Sequence, residues 1–202
     1  ISFFQVVMNE VLAKADKISD ADGKKTLDCL LPRTGKSLAS DKALLHQAKV
    51  YMATKDTIAA YKLDAIAAEC YPMYSGMMNL VSSWLAEEGF VLDTEGDIGH
   101  AYVMSTVNLI AGGGVLALGE AGSIDTARNI VPIAHEGSTA MSLAGTLDRA
   151  QVNASGELGA FVGVPLKAMD TVTVTAMVGN GDCYRMFVAK GRTLNVTHEE
   201  WV

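Results

Sequence analysis

Two carboxylates, Glu95 and Glu120, have the type and spacing to do chemistry. Glu95 follows the apolar run Phe90-Val91-Leu92 within Thr94-Glu95-Gly96-Asp97, and Glu120 follows Val115-Leu116-Ala117-Leu118. Each reads as an acid at the C-terminal end of a β-strand, with a helix over 98–110 between the two strands. In an α/β sheet the strand C-termini border the ligand crevice. Oxygen ligands converging there from separate elements can hold a hard divalent cation. The competing reading is that such acids are simply solvated, as most are. His135 ends a third apolar run, Asn129 to Ala134, and an imidazole there can contact substrate or metal or be satisfied by backbone. Glu69 ends a fourth run on the same expected edge and can line the pocket. Asp97 reads as fixing the start of the helix, where an acid is favourable. His100 reads as a surface or capping residue, and Cys70, beside Glu69, as core-edge packing.

The elements that must position these groups follow from periodicity. Apolar residues at helical spacing predict a helix over 3–16, and 20–40 reads as loop. A helix capped by Ser40 or Asp41 follows. Then come a strand over 63–70, a helix over 75–88 ended by Gly89, a strand over 90–92, the helix over 98–110 ended by Gly112-Gly113-Gly114, a strand over 115–118 and another over 129–135. That alternation predicts a parallel α/β layer. Beyond it, β-branched alternation at Val172, Thr173, Val174 and Thr175 and a turn at Gly179-Asn180-Gly181-Asp182 predict an antiparallel, β-barrel-like C-terminal domain. The expected division is a helical lead-in over 1–60, an α/β domain carrying the site over 61–148 and an antiparallel β domain over 149–202.

Composition narrows the function classes. The chain has 202 residues, half of them hydrophobic, with a formal net charge of −7. Without a basic stripe or aromatic ladder, a nucleic-acid partner is not expected. No apolar run is long enough to span a bilayer, so no membrane partner is expected either. Three dispersed cysteines, Cys29, Cys70 and Cys183, form no CxxC motif and suggest a reducing, cytoplasmic setting. Gly35-Lys36-Ser37 echoes a phosphate loop, but Leu30 stands where its first glycine belongs, and Gly112–Gly114 ends a helix instead of opening one.

Trp84-Leu85-Ala86-Glu87-Glu88-Gly89-Phe90 followed by Glu95-Gly96-Asp97, then Glu120, then His135-Glu136-Gly137-Ser138, resembles the fucose isomerase and arabinose isomerase superfamily over residues 60–195. The resemblance implies a metal-dependent aldose–ketose isomerase that moves a proton through an ene-diol. It implies Mn2+ or another divalent cation held by Glu95 and Glu120, which also act as the catalytic acid and base. His135 and Glu69 would bind the sugar, and subunits would assemble as a homo-oligomer. A non-catalytic sugar-binding relative that keeps the fold is the alternative. Thr94 departs from the family's usual Cys or Ala. The surroundings of His198, the one late histidine, do not match the family's further metal-binding His, which is expected beyond Val202 in a longer protein.

Overall fold

The computed structural model describes residues 2–180 and 182–196. The first helix, α1 (Met8–Asp16), starts later than its apolar spacing predicts: Phe3, Phe4 and Val7 are exposed, so little packing holds a helical turn there. Residues 20–30 correct the expected loop. They form α2 (Asp20–Leu30), capped by Ser19, whose hydroxyl accepts from the Asp22 N–H. Gly23 in α2 is a packing glycine: a Cβ there would lie 2.9 Å from Lys49 Cγ and 3.0 Å from Leu45 Cδ1. Strand β1 (Lys36–Ser37) precedes the long α3 (Asp41–Tyr61), which Ser40 caps by accepting from the Ala43 N–H.

The expected α/β alternation is present but short. Strand β2 (Ala65–Ala67) and β3 (Val91–Asp93) pair in parallel, with α4 (Asn79–Glu87) between them in the chain. Helix α5 (Ile98–Ile110) follows β3, capped by Asp97. Helix α4 is the centre of the molecule. Leu80, Val81, Trp84 and Leu85 are all enclosed, so it is buried on every side. Trp84 stands edge-on to Tyr51, with ring centroids 6.0 Å apart, and its indole N–H donates to Thr34 Oγ1 at 2.9 Å.

After α5 the expected parallel strands do not form. Residues 115–118 have no strand pairing. Glu120 instead lies within a two-residue strand, β4 (Glu120–Ala121), antiparallel to β5 (Ile133–Ala134). Residues 115–118 lie at the surface, with no strand beside them among the described residues, and in the other expected strand Pro132 lacks the N–H a central strand needs. Glu120 is therefore not at the C-terminal end of a parallel strand.

Strands β6 (Gln151–Ser155) and β7 (Gly159–Gly163) form a hairpin, and β6 also pairs in parallel with β1. Val152, Ala160 and Val162 join Trp84 and Leu80 in one core. A long antiparallel ribbon, β8 (Met169–Asn180) with β9 (Cys183–Thr193), completes the described chain. Antiparallel pairing after 150 is thus present, but among the described residues the two hairpins belong to separate sheets and no barrel closes.

Candidate functional site

The site is built where β2 and β3 end together. Ala67 pairs with Asp93, and the Ala68 N–H still donates to the Asp93 carbonyl at 2.8 Å. Beyond that rung the β2 side continues into Glu69 and the β3 side into Thr94-Glu95-Gly96-Asp97. The two backbones run side by side: a Cβ on Gly96 would lie 3.6 Å from Glu69 Cα.

One carboxylate shapes the β3 turn. Asp93 is fully enclosed, and its Oδ1 accepts from the Glu95 N–H at 2.9 Å and from the Asp97 N–H at 3.0 Å. Burial pushes the Asp93 carboxyl up, against the opposing pull of those two N–H donors. Among the described residues its Oδ2 has no hydrogen-bond partner; it lies 3.8 Å from His100 Nδ1, which is likewise buried without a partner among them. Asp97 in turn caps α5, accepting from the His100 N–H at 3.0 Å.

The segment carrying His135 is fastened to the same edge by buried hydroxyls and an amide. The Ser138 N–H donates to Ser82 Oγ at 2.7 Å, and the Ser138 hydroxyl donates to the Leu92 carbonyl at 2.7 Å, with Thr94 Oγ1 a further 3.2 Å contact. Asn79 donates to the Glu136 carbonyl and accepts from the Gly76 N–H at 3.1 Å and from Cys70 Sγ at 3.6 Å. The first turn of α4 thus ties together the chain after β2 and the chain after β5. Gly137 permits this approach: its φ is +132° and a Cβ would fall 2.8 Å from the Asn79 carbonyl oxygen.

The result is a carboxylate–imidazole pair. His135 Nε2 stands 2.9 Å from Glu95 Oε1, with the imidazole 7% and the carboxylate side chain 38% exposed. His135 Nδ1 lies 3.3 Å from the Gly137 carbonyl oxygen, which can only accept, so Nδ1 carries a hydrogen in that contact. Nε2 then meets Glu95 either by donating a second hydrogen or by sharing a cation with it.

The 2.9 Å separation is that of an ordinary hydrogen bond and equally that of two ligands at right angles on one ion with bonds of ~2.1 Å, so the pair supplies at most two ligands of a divalent-cation site. The antiparallel rung Glu120–Ala134 brings the Glu120 backbone beside His135, but the Glu120 side chain is exposed and makes no hydrogen bond or ion pair among the described residues. Glu69 is exposed too. Among the described residues no group of three or more His, Cys, Asp and Glu side chains is assembled for a metal. His198 lies outside the described residues.

Sequence reasoning did not single out Asp93, Asn79, Ser82 or Ser138. Asp93 had a visible signal, an acid directly after Phe90-Val91-Leu92. Asn79, Ser82 and Ser138 had none, since their roles depend on contacts across the fold.

No family model matches the chain. The chain is 32% identical over 148 residues to a sulfoquinovose isomerase of Priestia aryabhattai, covering 70% of this chain and 33% of the relative. The sulfoquinovose isomerase of Priestia megaterium matches with the same identity and coverage. That of Alkalicoccus urumqiensis is 31% identical over 150 residues, or 71% of this chain and 34% of the relative. The chain spans about a third of the length of the curated relatives it matches.

Proposed function

We propose that the protein interconverts an aldose and its ketose by proton transfer between neighbouring carbons, as a homo-oligomer in the cytoplasm. The observation that carries this reading is the Glu95–His135 pair at the C-terminal edge of the parallel strands. Similarity to sulfoquinovose isomerases supports it, and makes sulfoquinovose the first sugar to assay. The resemblance to the fucose and arabinose isomerases implies the homo-oligomer, and free Cys29, Cys70 and Cys183 suit a reducing compartment. No helix among the described residues is long and apolar enough to cross a membrane.

In this reading Glu95 takes the proton from C2 as the C1 carbonyl oxygen becomes a hydroxyl, giving the ene-diol. Glu95 then returns the proton to C1 while the C2 hydroxyl loses its own and becomes the carbonyl. Glu120, on the opposite face, relays the hydroxyl proton. Glu69 lines the sugar side of the pocket. His135 holds Glu95 in place and binds the sugar. Glu95 and Glu120 would hold the cation, with Mn2+ the ion implied by the resemblance. When bound, it supplies Lewis acidity toward the sugar's two oxygens.

The test is turnover of sulfoquinovose and unsubstituted aldoses, with solvent deuterium entering C1 or C2. Glu95→Gln should lower kcat by about 10²–10⁴-fold with the fold intact, and a chelator should abolish turnover reversibly. Unchanged turnover in that variant sinks the proposal. The exposed, uncontacted Glu120 favours a second reading, a sugar-binding relative without catalysis. Sugar binding without deuterium incorporation would select it.

A further inference from the structure

We propose that Asp93 is the positioning residue that sets where the Glu95 carboxylate sits; the inference rests on the isomerase reading above. Asp93 has no recorded contact with the pair's side chains; it is 0% exposed, and a single oxygen receives the N–H groups of both Glu95 and Asp97. That one atom therefore fixes both ends of the turn between β3 and α5. The turn's other anchors lie at its two edges, buried Thr94 against Ser138 and Asp97 at the start of α5, while Glu95, Gly96 and Asp97 are exposed. Without Asp93 the Glu95 N–H loses its recorded acceptor, and the Glu95 side chain keeps His135, from a different segment, as its partner.

The chemistry of the anchor points the same way. A fully buried carboxylate with its Oδ2 unpartnered is an unfavourable group for mere packing. An asparagine could keep Oδ1 on the two N–H groups and turn its amide toward His100 Nδ1, 3.8 Å from the present Oδ2. The positioning role therefore belongs to the acceptor oxygen, and Asp93→Asn and Asp93→Ala should behave differently.

The experiment compares the two variants in the full-length protein by kcat and KM, by Mn2+ binding in calorimetry, and by hydrogen–deuterium exchange of residues 94–97. Asp93→Ala should lose about 10²-fold in kcat, the effect of displacing a reacting group by about 1 Å, with KM nearly unchanged, weaker Mn2+ binding and faster exchange at Glu95 and Asp97. Asp93→Asn should restore protection of both amides and most of kcat. If Asp93→Ala does not fold, Asp93→Val replaces it, since it fills the space without any acceptor for the two N–H groups and should show the same loss. Wild-type kcat in the alanine variant overturns the proposal. So does a fall in Asp93→Asn as deep as in Asp93→Ala, because the effect would then belong to the charge. Glu95→Gln separates the two levels: if it leaves turnover unchanged, the isomerase reading fails. The exchange data still decide the role of Asp93, with unaltered protection in Asp93→Ala refuting it.

Discussion

Gly137→Ala tests the close approach that places His135 against Glu95. The backbone there has φ +132°, a conformation close to glycine-only, and an alanine would be strained by about 1–3 kcal/mol. The added Cβ would also stand 2.8 Å from the Asn79 carbonyl oxygen, 2.9 Å from Asn79 Cα and 3.0 Å from Asn79 Cβ. These are atoms of the first turn of α4, the most enclosed helix, so they cannot swing aside as a flexible side chain would. Overpacking of that kind adds about 1–3 kcal/mol. The expected loss is about 2–6 kcal/mol, a large part of the ~5–15 kcal/mol that holds a domain folded. Gly112→Ala is the matched control. Its φ is +77° and nothing lies within 4 Å of the position its Cβ would take, so it carries only the left-handed strain of about 1–2 kcal/mol. Urea unfolding followed by far-ultraviolet circular dichroism measures both. Gly137→Ala should unfold at clearly lower urea than Gly112→Ala, and its turnover should fall because the Gly137 carbonyl holds His135 Nδ1. Equal midpoints for the two variants would refute the argument that space, beyond backbone strain, dictates this glycine.

Two further outcomes concern the frame. Glu88 accepts from Lys55, Tyr51 and Arg33, linking the end of α4 to α3 and to the turn after α2. Burial alone would raise its carboxyl, but these three donors outweigh burial and hold it below the ordinary 4.5, while the Tyr51 hydroxyl is pushed up to about 12 by burial and by Glu88. A depressed folded-state carboxyl contributes stability that is present above pH 4.5 and is lost as pH falls through the folded value. Glu88→Gln should therefore be about 1–3 kcal/mol less stable at neutral pH, with the gap closing in acid. A gap that stays constant from neutral pH to pH 3 would contradict this. Trp84→Phe removes the N–H that Thr34 Oγ1 receives and leaves a void in the core, so thermal or urea unfolding should show a loss of about 2–4 kcal/mol. A loss below about 0.5 kcal/mol would mean the indole is not central.

What could be read in advance depended on whether a signal was local. Helix α5 was legible at both ends because Asp97 accepts within its own first turn and glycines follow its last. Helix α3 was legible through Ser40. Helix α2 was missed because its glycine looked like a loop residue, whereas Gly23 is there to let α3 come close. The four apolar residues 115–118 imitated a strand, but strand formation needs a partner, and a partner is not encoded in the segment itself. Glu95 and His135 stood out as polar residues ending apolar runs. Their mutual approach did not, because it depends on Ser82, Asn79 and Ser138 meeting across the fold.

The pairing of β1 with β6 has a consequence for how the chain reaches this state. β1 lies before α3, yet its strand neighbour among the described residues, the β6–β7 hairpin, is made after every other element of the site. Val152, Ala160 and Val162 close over Leu80 and Trp84 only once that hairpin has emerged from the ribosome. Until then α4 lacks the hairpin that covers one side of it, whereas α3 already has α1 and α2 to pack against. Contacts between distant parts of a chain are slow to form, and uncovered apolar surface invites association in the interval. A chaperone that shields α4 between the synthesis of α4 and of β7 should therefore raise the yield of folded protein.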